Sequence, residues 1–275
     1  MDRPPLFELK NVNFSYLNGF KALEDISLKV EAGEKIAILG ANGTGKSTLL
    51  SIMDGLLFPQ TGEITFLGHS MTEDSLKEDS FHTFFRKSVG FVFQNPDAQL
   101  FSSNVQDEIA FGPLQLGKEK EEVEQIVQDV LKILRIEHLR DRSPYQLSYG
   151  EKKRVALGSV IAINPDVLLM DEPSSGLDPR SSRDLIDFLI EAHKAGKTLL
   201  TATNDLHIVP EIADSIYILS EDKRIIFHGP AEAALSDKDL LESANLIHIH
   251  KHLHDARWHL HPHLHYRSTQ DREKS

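Results

Sequence analysis

Gly40–Thr48 reads GANGTGKST and fits the pattern G-x-x-x-x-G-K-[ST]. It follows the apolar run Ile36–Leu39 and precedes the helix-like Leu49–Met53. Strand, glycine-rich turn and helix thus come in the order that a phosphate-binding loop requires. Its nucleotide-binding set is Gly40, Asn42, Gly43, Gly45, Lys46, Ser47 and Thr48. Glycines let backbone N–H groups curl around phosphate oxygens, and the new helix points its positive end at them. Lys46 reaches the β- and γ-phosphates, and the Ser47 hydroxyl suits Mg²⁺. The alternative is a plain tight turn, and the flanking strand and helix speak against it.

The 275 residues suit one large domain, or one domain with an insertion. The chain has 30 basic and 42 acidic residues, a net charge of −12, which argues against nucleic acid as the main partner. Without cysteine there is neither a disulfide framework nor thiol catalysis. The opening MDRPPLFELK lacks the basic-then-apolar pattern of a signal peptide, and no apolar run of about 18 residues predicts a membrane span. A membrane role must work through partners.

Period-two patterns predict strands at Phe7–Tyr16 and Ile26–Val30, with Asn18–Gly19 turning between them. Further strands are predicted at Glu34–Leu39, Glu63–Leu67, Val89–Phe93, Val167–Met170, Lys197–Ala202, Ser215–Leu219 and Ile225–His228. Residues 69–88 read as a polar loop with a frayed helix. Helical spacing puts Val123, Ile126, Val127, Val130, Leu131 and Leu134 on one face of Glu119–Arg135. Helices are also predicted at Tyr149–Ile163 and Ser181–Ala195. Alternation of strands and helices predicts an α/β fold around a mainly parallel sheet. Composition shifts after Gly229–Pro230, and the last thirty or so residues read as an appendage.

VLLMDEP, Val167–Pro173, ends a buried strand in two carboxylates. Asp171 is placed to hold Mg²⁺ through water, and Glu172 to polarise the attacking water as general base. LSYGEKKR, Leu147–Arg154, opens the second long helix, and Ser148 and Gly150 suit a helix N-terminus offering N–H groups to an anion.

With these three motifs the chain resembles the ATP-binding cassette (ABC) family over about residues 6–229. The family signature is LSGGQ, and Tyr149 and Glu151 depart from it. The resemblance implies a P-loop ATPase core of mainly parallel sheet with flanking helices, an N-terminal antiparallel β-subdomain and an inserted helical subdomain. The expected layout is an ATPase domain over residues 1–230, its helical subdomain over about 95–165, then a 231–275 extension. ATP and Mg²⁺ are the implied cofactors. Tyr16 matches the aromatic that stacks on adenine, a core tyrosine being the alternative. Gln94 matches the glutamine that senses Mg²⁺ and the attacking water, and Asp178 matches the loop that crosses the dimer interface. The resemblance also implies head-to-tail pairing of two cassettes, identical or paralogous. Ser148 of one then covers the γ-phosphate held by Lys46 of the other. The implied catalytic set is Glu172, Lys46, Gln94 and the position of Asn204, where the family carries histidine. Asn204 donates a hydrogen bond but carries no positive charge, and His207 nearby points elsewhere. The expectation is slow or partner-dependent hydrolysis.

Gln94–Gly117, QNPDAQLFSSNVQDEIAFGPLQLG, is similar to ATPase subunits of energy-coupling factor importers, most of all the cobalt/nickel group. That resemblance implies a membrane coupling protein docked near Gln94, a substrate-binding membrane subunit, and a place at the cytoplasmic face of the membrane. Phe91, Phe93, Leu100 and Phe101 are expected to divide between core and docking groove. A vitamin importer of the same architecture and a slow regulatory metal-binding ATPase are the alternatives. A DNA-repair or translation clamp would usually carry coiled-coil arms, a tandem cassette or a long linker, and a basic surface, and this sequence shows none of these.

Eight of the fourteen histidines fall in His248–His265, at His248, His250, His252, His254, His259, His261, His263 and His265. Alternate spacing would put each block on one face of a strand, while i, i+4 pairing suits a helix, and Pro262 argues against one continuous helix. Imidazole clusters suit Ni²⁺, Co²⁺, Zn²⁺ or Cu²⁺, and a solvated tail that binds metal incidentally is the alternative.

Overall fold

The computed structural model describes residues 4–17, 19–254 and 257–264, and from residue 248 onward its backbone alone. Asn18 of the expected Asn-Gly turn lies outside the described residues. The chain opens with strands β1 (Phe7–Ser15), β2 (Lys21–Val30) and β3 (Lys35–Leu39), then helix α1 (Lys46–Met53). Strands β4 (Thr61–Phe66) and β5 (His69–Ser70), helix α2 (Asp79–Ser88) and strand β6 (Val89–Val92) follow. Three helices come next, α3 (Val105–Gln115), α4 (Lys120–Ile133) and α5 (Tyr149–Ile161), then β7 (Val167–Asp171), α6 (Pro179–Lys194) and β8 (Thr198–Thr203). The last elements are α7 (Val209–Ile212), β9 (Ser215–Leu219), β10 (Ile225–Pro230), α8 (Ala231–Ser236), α9 (Lys238–Ser243), β11 (Ile247–His254) and β12 (Arg257–Leu264).

Two sheets form the body. An antiparallel sheet runs β2-β1-β4-β5, and a larger sheet runs β10-β9-β3-β8-β7-β6, parallel except at β10. The parallel strands are apolar at nearly every position because both faces are covered. Val167 and Leu169 face a core shared with α1 and the antiparallel sheet, while Leu168 and Met170 face the core beneath α3, α4 and α5. This two-sided burial puts the ends of β3 and β7 side by side with β8 between them, where a ligand site belongs in an open α/β sheet.

One local expectation needs correction, and one helix, α3, is unexpected. Residues 79–88 form a ten-residue helix, not a frayed one, because Phe85 is fully buried and rests edge-on against Phe66. Helix α3 carries no clear apolar stripe, since only Val105, Glu108, Ile109 and Pro113 turn inward, and its period is hard to read from sequence. Packing also runs on past residue 230: Ala231, Ala234, Leu241, Ala244 and Leu246 share a core with Ala37, Leu39 and Ile216. The compositional shift at Gly229–Pro230 is therefore no break in the core. No helix among the described residues is long and apolar enough to cross a membrane.

Candidate functional site

The turn between β3 and α1 is fixed by contacts that exclude a side chain. Gly45 has φ 108° and stands where a Cβ would lie 2.3 Å from the Ala22 carbonyl oxygen, so only glycine fits. Gly45 is the N-cap of α1 and offers no side-chain cap, which leaves the first N–H groups of the helix for an anion. Lys46 is buried, and its Nζ donates to the carbonyls of Gly40 at 2.8 Å and Ala41 at 3.2 Å.

Across the sheet, β7 delivers Asp171 and Glu172. Glu172 Oε1 lies 3.5 Å from Lys46 Nζ, and its Oε2 accepts from Thr203 Oγ1 at 3.2 Å. Its backbone is left-handed, φ 45°, a conformation costly for a side chain with a Cβ. Burial pushes the carboxyls of Asp171 and Glu172 up, opposed for Asp171 by the Ser47 hydroxyl and for Glu172 by Lys46. Asp171 Oδ1 and Glu172 Oε1 are buried without a hydrogen-bond donor. Orphaned acceptors of this kind cost free energy, and a hydrated cation between Ser47 and Asp171 with a water at Glu172 would satisfy them. The residues present therefore fit Mg²⁺.

Lys153 joins this centre, and nothing in the sequence pattern marks it, since a lysine on a helix reads as solvated. It is buried, donates to the Glu172 carbonyl at 2.6 Å and to the Pro173 carbonyl at 3.3 Å, and burial lowers its pKa to about 8. One turn earlier on α5, Tyr149 lies beneath the Lys153 ammonium, 5.6 Å from ring centroid to Nζ. The Tyr149 hydroxyl donates to the Gln94 carbonyl at 3.2 Å, and its ring lies so close to Gly176 that a Cβ there would sit 2.6 Å from it. Tyr149, one of the two departures from the family signature, thus ties the Gln94 and Gly176 loops to the start of α5.

The remaining sequence candidates are distributed as follows. Tyr16 is 42% exposed, which removes the core-tyrosine alternative, and its hydroxyl meets Thr48 Oγ1 at 3.0 Å. Ser148 caps α5 in a capping box with Glu151, so the departure at Glu151 stabilises the helix start, and Gly150 follows in the first turn. Asp178 caps α6, accepting from the Arg180 and Ser181 backbones and the Ser181 hydroxyl, which hold its carboxyl below the usual range. Asn204 Nδ2 donates to Asn42 Oδ1 at 3.2 Å. Gln94 is exposed, and among the described residues no hydrogen bond joins its side chain to Asp171 or Ser47. A cleft of ≈ 1040 Å³ opens along Ala41, Asn42, Glu172, Ser175 and Asn204. Phe91 and Leu100 are core, while Phe101 is 60% exposed and meets the exposed Phe111 edge-on. The tail histidines up to His263 lie on β11 and β12, whose register sets His248 opposite His263, His250 opposite His261 and His252 opposite His259. His265 lies outside the described residues.

Against known proteins, the ABC transporter family model matches residues 23–175. The nickel import ATP-binding protein NikO of Rhodobacter capsulatus is 44% identical over 246 residues, covering 88% of this chain and 96% of that one. The energy-coupling factor transporter ATP-binding protein EcfA of Methanococcus maripaludis is 41% identical, over 88% of this chain and 85% of that one. Among solved structures, cbiO1 from Clostridium perfringens, described as part of the ABC transporter complex cbiONQ, superposes with a TM-score of 0.73 at 36% identity. That match covers 88% of this chain and 95% of the other.

Proposed function

Because this chain belongs to the ABC transporter family of ATPases, we propose that it hydrolyses ATP to power import of a transition-metal ion, cobalt or nickel, through membrane partners. The convergence of Lys46, Ser47, Asp171 and Glu172 at the carboxyl ends of β3 and β7 carries the hydrolytic part. The loop N–H groups and Lys46 bind the phosphate tail, and Tyr16 stacks on the adenine. Ser47 and Asp171 would hold Mg²⁺, with Gln94 joining them; the ion neutralises phosphate charge when bound. Glu172 takes a proton from water as the water oxygen attacks the γ-phosphorus. The bond from that phosphorus to the β–γ bridging oxygen breaks, and ADP and phosphate leave.

The exposed Ser148 and the open cleft beside Glu172 and Asn204 support pairing with a second cassette, a copy or a paralogue. In that pair Ser148 and Gly150 cover the partner's γ-phosphate, and Asp178 lies at the seam. Exposed Phe101, Phe111 and Leu114 offer apolar contacts to a membrane coupling protein, which would hold the chain at the cytoplasmic face of the membrane beside a substrate-binding membrane subunit. A division into residues 1–230, with a helical subdomain over about 95–165, and a 231–275 extension fits this role, the first part of the extension packing onto the ATPase core. The histidine tail is read as a metal-binding segment.

The metal cargo is supported by the likeness to a nickel import protein. A vitamin cargo is the second reading, since the likeness to an energy-coupling factor transporter ATP-binding protein is to a relative whose name specifies no metal. Cobalt and nickel uptake by cells with and without the chain, membrane partners present, separates them. Loss of one metal's uptake, reproduced by Lys46→Ala, supports the metal reading, and unchanged uptake of both removes it.

A further inference from the structure

Lys223 occupies the turn between β9 and β10, at the carboxyl end of the parallel sheet and beside the phosphate-binding loop. The turn is anchored on both sides: the Lys223 N–H donates to the Ser220 carbonyl at 3.0 Å, and its own carbonyl accepts from the Glu24 N–H at 2.9 Å. Its φ is 65°, in the left-handed region that favours glycine. A lysine here is strained where glycine would be relaxed, and strain of this kind gathers where a side chain has a task.

That side chain reaches into the nucleotide site. Lys223 Nζ donates to the Gly43 carbonyl at 2.7 Å and stands 5.7 Å from the centroid of the Phe20 ring. No salt bridge to Lys223 is found among the described residues, whereas its neighbour Arg224 pairs with Glu24 at 2.8 Å. A cation thus rests on a neutral carbonyl and a ring face, at the rim of a loop built to bind phosphate, with no carboxylate paired to it among the described residues. A change of one or two side-chain torsions re-aims the ammonium while the turn stays fixed.

We propose that Lys223 is a further nucleotide-binding residue, whose ammonium exchanges the Gly43 carbonyl for a phosphate oxygen of the bound nucleotide. The inference rests on the nucleotide-binding reading of the site. Because the contact is to phosphate, it serves ADP as well as ATP. It adds to Lys46, which is buried beneath the loop and engaged with Glu172.

The test is calorimetric titration of ATP and ADP into the full-length chain, comparing wild type with Lys223→Gly, Lys223→Met and Lys223→Arg at low and high salt, with a thermal melt of each. Loss of one charge-assisted contact should weaken both nucleotides by about fivefold to tenfold in the Gly and Met variants. The loss should shrink at high salt, and Arg should restore most of the affinity. The Gly variant relieves the left-handed strain and should melt no lower than wild type, so weaker binding cannot be put down to misfolding. Wild-type affinity in both the Gly and Met variants would overturn the inference and make Lys223 a brace for the loop. Absence of nucleotide binding by the wild type would overturn it together with the reading it rests on.

Discussion

Lys153 Nζ lies 2.6 Å from the main-chain carbonyl oxygen of Glu172, so the signature helix grips the backbone of the proposed general base directly. Glu172 holds a left-handed φ of 45°, and a second Lys153 bond to the Pro173 carbonyl clamps the peptide that follows. Movement of α5 would therefore be felt at Glu172 without passing through its carboxylate.

Lys153→Met should lower kcat by roughly tenfold to a hundredfold, the loss of charge-assisted bonds of about 1.5–3 kcal/mol. KM for ATP should change little, because the P-loop contacts remain. Steady-state ATPase assays of the assembled complex check this, and a change confined to KM would contradict it.

Glu172→Gln removes both the general base and the ion pair with Lys46. Turnover should fall by about 10²–10⁴-fold, while ATP affinity rises because Lys46 no longer has a competing carboxylate. Light scattering with ATP should then find an accumulated dimer. A variant that stays monomeric in ATP would speak against two-cassette closure.

Asn204→His should raise the turnover of the assembled complex, because imidazolium can carry charge to the γ-phosphate and the amide cannot. The present side chain is tied to Asn42 at 3.2 Å, an exposed contact with little to lose. Unchanged turnover would remove the expectation of slow hydrolysis.

Asp54 closes α1 and pairs with Arg86 of α2 at 2.9 Å. Burial, opposed by Arg86, raises its pKa from 3.8 to about 6. A raised folded-state value means that this contribution to stability is full below about pH 4 and is lost as pH rises through about 6. Arg86→Ala strands a buried carboxylate and should destabilise the chain by about 3 kcal/mol at pH 8, and by less at pH 5, where Asp54 can take a proton. Urea unfolding at both pH values measures the difference, and equal losses would contradict it.

Much of the site was legible because its chemistry is written in contiguous residues. GANGTGKST, LSYGEKKR and MDEP each carry their own spacing, and a phosphate loop, a helix cap and a strand end need no distant partner to be recognised. The parallel sheet was equally legible, since strands buried on both faces become unbroken apolar runs such as Val167–Met170. Helix α3 and the ordered α2 were not, because the stability of a short segment with few inward residues comes from the surfaces it meets.

By itself, then, the sequence determined the fold class and marked the candidate phosphate-binding residues, because local backbone geometry and burial period are encoded over a few neighbours. Only the tertiary structure decided what Lys153, Tyr149 and Lys223 do. Each is an ordinary helix or turn residue by pattern, and its role comes from a carbonyl that the fold brings up from a distant part of the chain: Glu172 for Lys153, Gln94 for Tyr149 and Gly43 for Lys223.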